Sequence, residues 1–195
     1  MGRVIVSVAL SVDGYTEGPG ADMSAMPLDE SFNVHNAALI RGAGRLLYGG
    51  NTYRQMVGYW PTVPDNPDAS DAEQEIARRM ADGMPVTVVS DSLTEEDTGP
   101  WREQTTIVRR TDDLAAIAAL RAEDGDTVVF GSRTLWSRLL AEGLVDQLVL
   151  MIGPKLVAGD TPAFSGVPAT GLTLIDVTRH TDSPAVVLRY QVGEP

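Results

Sequence analysis

At 195 residues, 43% hydrophobic and 22% charged, the chain is long enough to bury one substantial core and has the balance of a globular domain. Its 27 acidic and 15 basic residues give a net charge of −12, a field that repels a phosphate backbone and argues against nucleic acid as a partner. The absence of cysteine excludes disulfides, thiolate metal sites and a cysteine nucleophile, and with only His35 and His180 no metal site is expected.

Val4 to Val12 is rich in β-branched residues and ends at Asp13-Gly14, a strand followed by a turn. No basic-then-apolar leader precedes it, and no apolar run approaches the roughly 18 residues of a membrane helix. The expectation is a cytoplasmic protein. Residues 15–28 hold Gly18, Pro19, Gly20 and Pro27 and read as an irregular loop. Asp29 to Arg41 follows as a helix, Leu46 to Tyr48 as a short strand, and Thr52 to Val57 as the next helix. A proline-rich loop over 61–69 leads to an amphipathic helix, Asp71 to Ala81, with Ile76, Ala77 and Met80 inward.

Alternation continues with strands at Val86 to Ser90 and Thr105 to Arg109, and a helix at Asp112 to Ala122. Thr127 to Phe130 is a buried strand, Thr134 to Ala141 a helix stopped by Gly143, and Leu144 to Ile152 a long apolar strand. Leu172 to Thr178 and Ala185 to Val192 then come without a helix between them, which predicts an antiparallel closing pair on a mixed, mostly parallel sheet. No repeat or linker interrupts the pattern, so residues 1–195 read as one α/β domain. The acidic stretch Glu95-Glu96-Asp97 reads as solvated loop, and Trp101 carries little information.

Three strand ends place small or hydroxyl residues where an apolar run stops: Gly49-Gly50-Asn51-Thr52, Ser90-Asp91-Ser92 and Gly131-Ser132-Arg133-Thr134. Two of them open helices. Glycine lets a ligand approach the backbone, and free N–H groups at a helix start favour an anion such as a pyrophosphate. In open α/β sheets ligands bind beyond the carboxyl ends of the strands, where these segments gather. The plainer alternative is that Gly and Ser are good turn and cap residues; neither glycine segment is a G-x-G-x-x-G or a P-loop.

In order, Ser11-Val12-Asp13-Gly14-Tyr15, Leu47-Tyr48-Gly49-Gly50-Asn51-Thr52-Tyr53, Val88-Val89-Ser90, Val129-Phe130-Gly131-Ser132-Arg133-Thr134-Leu135 and Gly143-Leu144-Val145-Asp146-Gln147-Leu148 span nearly the whole chain. Together they resemble the dihydrofolate-reductase-like superfamily, in particular stand-alone relatives of the reductase domain of the bacterial riboflavin-biosynthesis deaminase-reductase. Pro154 and Gly159-Asp160-Thr161-Pro162-Ala163-Phe164 are similar to a later segment of the same branch. The resemblance implies a three-layer α/β/α sandwich that binds a nicotinamide nucleotide. It implies that Ala9 offers main-chain groups to the nicotinamide carboxamide, that Gly50, Asn51 and Thr52 hold the pyrophosphate, and that Gly131, Ser132, Arg133 and Thr134 cover it from the other side. Ser90 and Asp91 would border the adenosine ribose, and the loop Ala25-Met26-Pro27 resembles one that closes over the nicotinamide.

Two departures matter. The relatives usually carry arginine where this chain has Gly50 and often again where it has Asp91; Asp91 would repel a ribose phosphate or accept from a free 2′-hydroxyl, while Arg109 or Arg110 could bind the phosphate. NADPH is the expected cofactor, with NADH the alternative. Where dihydrofolate reductases carry an acid on the first helix, this chain has Asn33, which cannot act as a Brønsted acid, so folate reduction is disfavoured. His35 is the candidate proton donor, otherwise water; the bland reading of His35 is a packing histidine. Trp60, beside Tyr59 and Pro61, either stacks on a substrate ring or packs, and Met26 and Asn33 are the other substrate-side candidates. Asp13 is a turn residue or an anchor for the loop.

The expected activity is hydride transfer to a C=N or C=O bond of a small heterocyclic or sugar-like substrate, resembling 5-amino-6-(5-phosphoribosylamino)uracil reductase or dihydrofolate reductase. Rival readings are a flavin- or deazaflavin-dependent reductase on the same fold and a non-catalytic nucleotide-binding protein. A homodimer is expected from the apolar strand Leu144 to Ile152 and from the family's habit.

Overall fold

The computed structural model describes residues 1–24 and 26–193. Eight strands form one sheet: β1 (Val4–Leu10), β2 (Ala43–Gly49), β3 (Val86–Val89), β4 (Thr105–Val108), β5 (Asp126–Phe130), β6 (Gln147–Ile152), β7 (Leu172–Arg179) and β8 (Val186–Val192). Their spatial order is β4-β3-β2-β5-β1-β6-β8-β7. The first six run parallel, and β8 pairs antiparallel with both β6 and β7. Five helices connect them: α1 (Glu30–Gly42), α2 (Gly50–Tyr59), α3 (Asp71–Ala81), α4 (Asp113–Ala122) and α5 (Arg133–Ala141).

The two-residue period of the strands divides the core between the sheet's faces. On one face Ile5, Leu46, Val88 and Val128 meet α1, α2 and α3 through Ile40, Tyr53 and Ile76. On the other Val4, Val6, Leu47 and Val129 meet α4 and α5 through Ile117, Trp136 and Leu139. The parallel strands are covered on both sides, which is why they read as continuous apolar runs. α3 starts with a capping box in which Ser70 and Glu73 each accept a backbone N–H of the other.

Local chemistry moves several boundaries from their sequence expectation. β1 stops at Leu10 because Ser11 turns the chain: its N–H donates to the Tyr15 carbonyl and its hydroxyl accepts from Tyr15 N. Gly143, at φ +65, ends α5, and β6 begins only at Gln147 because Asp146 is engaged elsewhere. Its carboxylate accepts from Val4 N at 2.8 Å and from Arg121, tying β1 to α4. The segment after α2 is a 3-10 helix, Trp60–Asp65, rather than open loop. The acidic stretch is the first turn of another, Glu95–Gln104, started by Thr94 and Asp97. Trp101 in that helix is buried, its ring edge-on to Tyr53 at 6.0 Å.

β6 is an interior strand, enclosed between β1 and β8 and almost wholly buried. Its apolarity is explained by the core and does not mark an outer surface. The outer surface is β7, an edge strand with Leu172, Leu174, Ile175 and Val177 each 43–51% exposed. A register shift between Leu174 and Asp176 bulges the strand, a device that hinders edge-to-edge pairing.

Candidate active site

The site follows from the topology. β2 and β5 are parallel neighbours, yet the helices that leave them go to opposite faces: Tyr53 of α2 packs in one core and Trp136 of α5 in the other. Such a divergence opens a crevice beyond the carboxyl ends of the two strands, the usual ligand position in open α/β sheets. Both helices begin there, at Gly50 and Arg133.

Two hydroxyls lock these helix starts together. Ser132 Oγ accepts from Gly49 N at 2.9 Å, and Ser132 N donates to Thr52 Oγ1 at 3.1 Å. To make the exchange the chain after β5 takes two consecutive left-handed residues, Gly131 at φ +53 and Ser132 at φ +57. Serine there carries strain that glycine would not. The approach is close: a Cβ on Gly131 would stand 3.0 Å from the Thr52 methyl, and one on Gly50 would stand 2.7 Å from Ser90 Oγ. Neither helix has a side-chain cap of its own. The first-turn N–H groups of Gly50, Asn51 and Thr52, and of Arg133 and Thr134, therefore have no intrahelical acceptor. With two helix dipoles adding at one crevice, this donor set suits a pyrophosphate.

Polar residues on the β3–β4 side are knitted to one another. Ser90 is buried, and its hydroxyl accepts from Ser92 N and Leu93 N at 3.3 and 3.1 Å. Asp91 accepts from Arg110 N at 2.9 Å and lies 3.5 Å from Arg110 Nε, an exposed ion pair. Arg109 Nη1 donates to the carbonyls of Ser90 and Leu93 at 2.7 and 3.0 Å. Beside them stands Arg54 of α2, a residue the sequence reading passed over. Its Nη2 is 3.5 Å from Ser92 Oγ and its Nη1 only 3.8 Å from where a Cβ on Gly50 would be. The available signal was spacing: Arg54 is four residues after Gly50, on the same side of the helix.

Ala9 and Phe130 lie on the sheet face covered by α1 and α2, and Phe32, Met56 and Trp60 pack half-buried against the same core. Trp60 is fixed by its Nε1 donating to Met56 Sδ at 3.3 Å and by Tyr59, whose hydroxyl bonds Glu73. Met26 and Pro27 are buried, with Pro27 so close to Gly153 that a Cβ there would stand 2.9 Å away; Ala25 lies outside the described residues. Asp13 acts as an anchor, its carboxylate accepting from Val157 N and Ala158 N. Asn33 is half-buried, its amide 3.5 Å from Glu30.

His35 stands apart, on the part of α1 that faces His180 and Arg189. Burial first, and the two basic neighbours next, hold its pKa down to about 4. At neutral pH its imidazole is uncharged and has no readily lost proton.

No curated protein matches the chain by sequence. The family model described as RibD C-terminal domain matches residues 3–188. Among solved structures, a protein of Shewanella sp. PV-4 described as a riboflavin biosynthesis protein superposes with a TM-score of 0.71 at 20% identity, covering 100% of both chains. The riboflavin biosynthesis reductase of Saccharomyces cerevisiae gives 0.55 at 17% identity, covering 98% of this chain and 90% of its own. Dihydrofolate reductase from Enterococcus faecalis, solved with NADP(H), gives 0.55 at 14%, covering 99% and 98%. At these identities the structural likeness is one of fold.

Two outcomes follow from this geometry. Ser132→Ala loses the bond from Gly49 but keeps the strained φ, and costs about 1–2 kcal/mol in urea unfolding. Ser132→Gly loses the same bond yet recovers about 1 kcal/mol by relieving the backbone; equal losses would discount the strain. For His35 the unfolded chain binds the extra proton between its ordinary pKa of 6.5 and the folded value of about 4. Stability therefore falls as pH drops through that window, by about 3 kcal/mol from this group. Urea melts at pH 7 and pH 4 should show His35→Leu losing that much less than the native protein; equal losses would sink the assignment.

Proposed function

The chain belongs to the RibD C-terminal domain family, and from that premise we propose that it is a cytoplasmic NADPH-dependent reductase acting on a small heterocyclic or sugar-like substrate. One observation carries the reading: two uncapped helix starts face each other where β2 and β5 diverge, with half-buried Phe130 at the end of β5 and the arginines of the β3–β4 side beside them. That is the layout a dinucleotide needs, with phosphates in the middle, a flat ring in the dry half and a ribose in the charged half.

The residues present fit the cofactor. Gly50, Asn51 and Thr52 would hold the pyrophosphate from α2, and Gly131, Ser132, Arg133 and Thr134 from α5. Ala9 would present its main chain to the carboxamide. Ser90 and Asp91 would border the ribose, with Arg109 backing them. When bound, a reduced nicotinamide supplies a hydride to a C=N or C=O bond. The work of the chain is to align the acceptor and exclude water around it. Met26 and Trp60 form apolar walls, and Asn33 offers an amide for orientation. With Asn33 unable to act as an acid and His35 neutral and turned toward Arg189, the proton that completes the reduction comes from water at the cleft mouth.

We also propose a homodimer, resting on β7. Leu172 and Leu174 pair with Val192 and Tyr190 of β8, which pack partly buried against the second core, so the exposed apolar row of β7 continues that core outward. On a chain of net charge −12 such a patch is better covered than left in water.

Titrating the purified protein with NADPH while following tryptophan fluorescence tests the cofactor. Micromolar binding is expected, and NADPH oxidation on a panel of pyrimidines and sugar lactones should then identify the acceptor. Failure to bind either NADPH or NADH, or copurification of a flavin, would overturn the reading. Light scattering at micromolar concentration should give a dimer mass, and Leu174→Arg with Val177→Arg a monomer that still binds NADPH; a monomeric native protein removes the dimer.

A further inference from the structure

A ribose leaving the crevice on the β3–β4 side meets three guanidinium groups, and they are not equivalent. Arg109 spends its Nη1 on the carbonyls of Ser90 and Leu93 and acts as a brace between β4 and the loop after β3. Arg110 is held by Asp91, which accepts its main-chain N–H and lies against its side chain. Arg54 is exposed, and among the described residues its one hydrogen bond is the 3.5 Å contact to Ser92 Oγ. Its charge reaches Asp97, whose carboxylate already accepts from Thr94 N and Thr94 Oγ1. Arg54 therefore has donors free, whereas Arg109 is drawn into the fold and the exposed Arg110 side chain faces Asp91.

Position completes the case. Arg54 projects from α2 one turn after Gly50, so its guanidinium lies between the helix start and Ser92. Anything that joins a pyrophosphate at Gly50 to a ribose at Ser90–Asp91 passes beside it. A ribose phosphate brings two negative charges that a guanidinium can meet with paired N–H donors. Asp91 opposes this only in part, because Arg110 lies against it. We propose that Arg54 is the specificity-determining residue that makes this site prefer a 2′-phosphorylated dinucleotide over the unphosphorylated one. The inference rests on the nicotinamide-nucleotide reading above and deepens it.

The test is direct binding of NADPH and NADH, by fluorescence quenching, to the native protein, Arg54→Gln, Arg54→Lys and Arg41→Gln. Arg41 pairs with Glu75 between α1 and α3 and controls for loss of one surface charge. Arg54→Gln should bind NADPH about tenfold more weakly and NADH within about twofold of native. Arg54→Lys should keep part of the preference, and Arg41→Gln all of it. The native preference should shrink with added salt, while Arg54→Gln shows little salt dependence in the ratio. A native preference for NADPH that survives Arg54→Gln, or one lost only on Arg109→Gln or Arg110→Gln, overturns the proposal and leaves the cofactor reading standing. A native protein that favours NADH overturns it too. One that binds neither nucleotide removes the reading itself, so the two failures are distinguishable.

Discussion

Two adjacent parallel strands that send their helices to opposite faces of a sheet must leave both helix starts side by side, and this constraint organises the rest of the molecule. Backbone N–H groups at a helix start need acceptors, and burying two sets together without partners would cost several kcal/mol. The chain meets part of that demand internally by an exchange in which Ser132 Oγ accepts from Gly49 N and Thr52 Oγ1 accepts from Ser132 N. What remains is an outward set of donors and two summed dipoles. Because the exchange requires a left-handed Ser132, the strain and the binding geometry are one feature. The glycines follow from the same closeness: Gly50 admits the Ser90 side chain, and Gly131 admits the Thr52 methyl.

The two flanks of the crevice differ because the elements that form them differ. On the β3–β4 side the strands are short, and polar residues just past their ends bond to one another. On the α1 side the sheet face is apolar and the helix contributes Phe32 and neighbouring core residues. A site of this kind can hold a charged half and a flat apolar half at once. On the first helix Asn33 cannot give a proton, and His35 lies in a basic, desolvated environment. Catalytic power would then come from alignment and dryness rather than from acid catalysis.

Far from the crevice, the sheet's other end has a separate logic. On the α5 side the outer residues of β7 stay exposed, beyond the segment from 153 to 171. Asp13 holds it at Val157 and Ala158, and Phe164 packs on Trp136. The exposed row on β7 is the consequence.

The sequence by itself determined the elements, because alternation and helical period are local, and residues such as Asp13-Gly14, Gly49-Gly50 and Gly143 are strong local punctuation. It also marked the strand ends at Gly49–Thr52 and Gly131–Thr134, where small and hydroxyl residues follow an apolar run, without deciding between a ligand site and plain turn or cap chemistry. Tertiary structure decided what those residues touch. An apolar run cannot say whether it is an interior or an edge strand, so β6 passed for a surface and the true edge, β7, was inconspicuous. Arg54 and Ser92 are 38 positions apart and meet only because β2 and β3 are neighbours. Asp91 reads as a free carboxylate until the pairing of β3 with β4 brings Arg110 to it. His35 reads as a titrating group until α1 is laid against β8. Charge, burial and partnership are properties of neighbours in space, and the chain order names only neighbours in sequence.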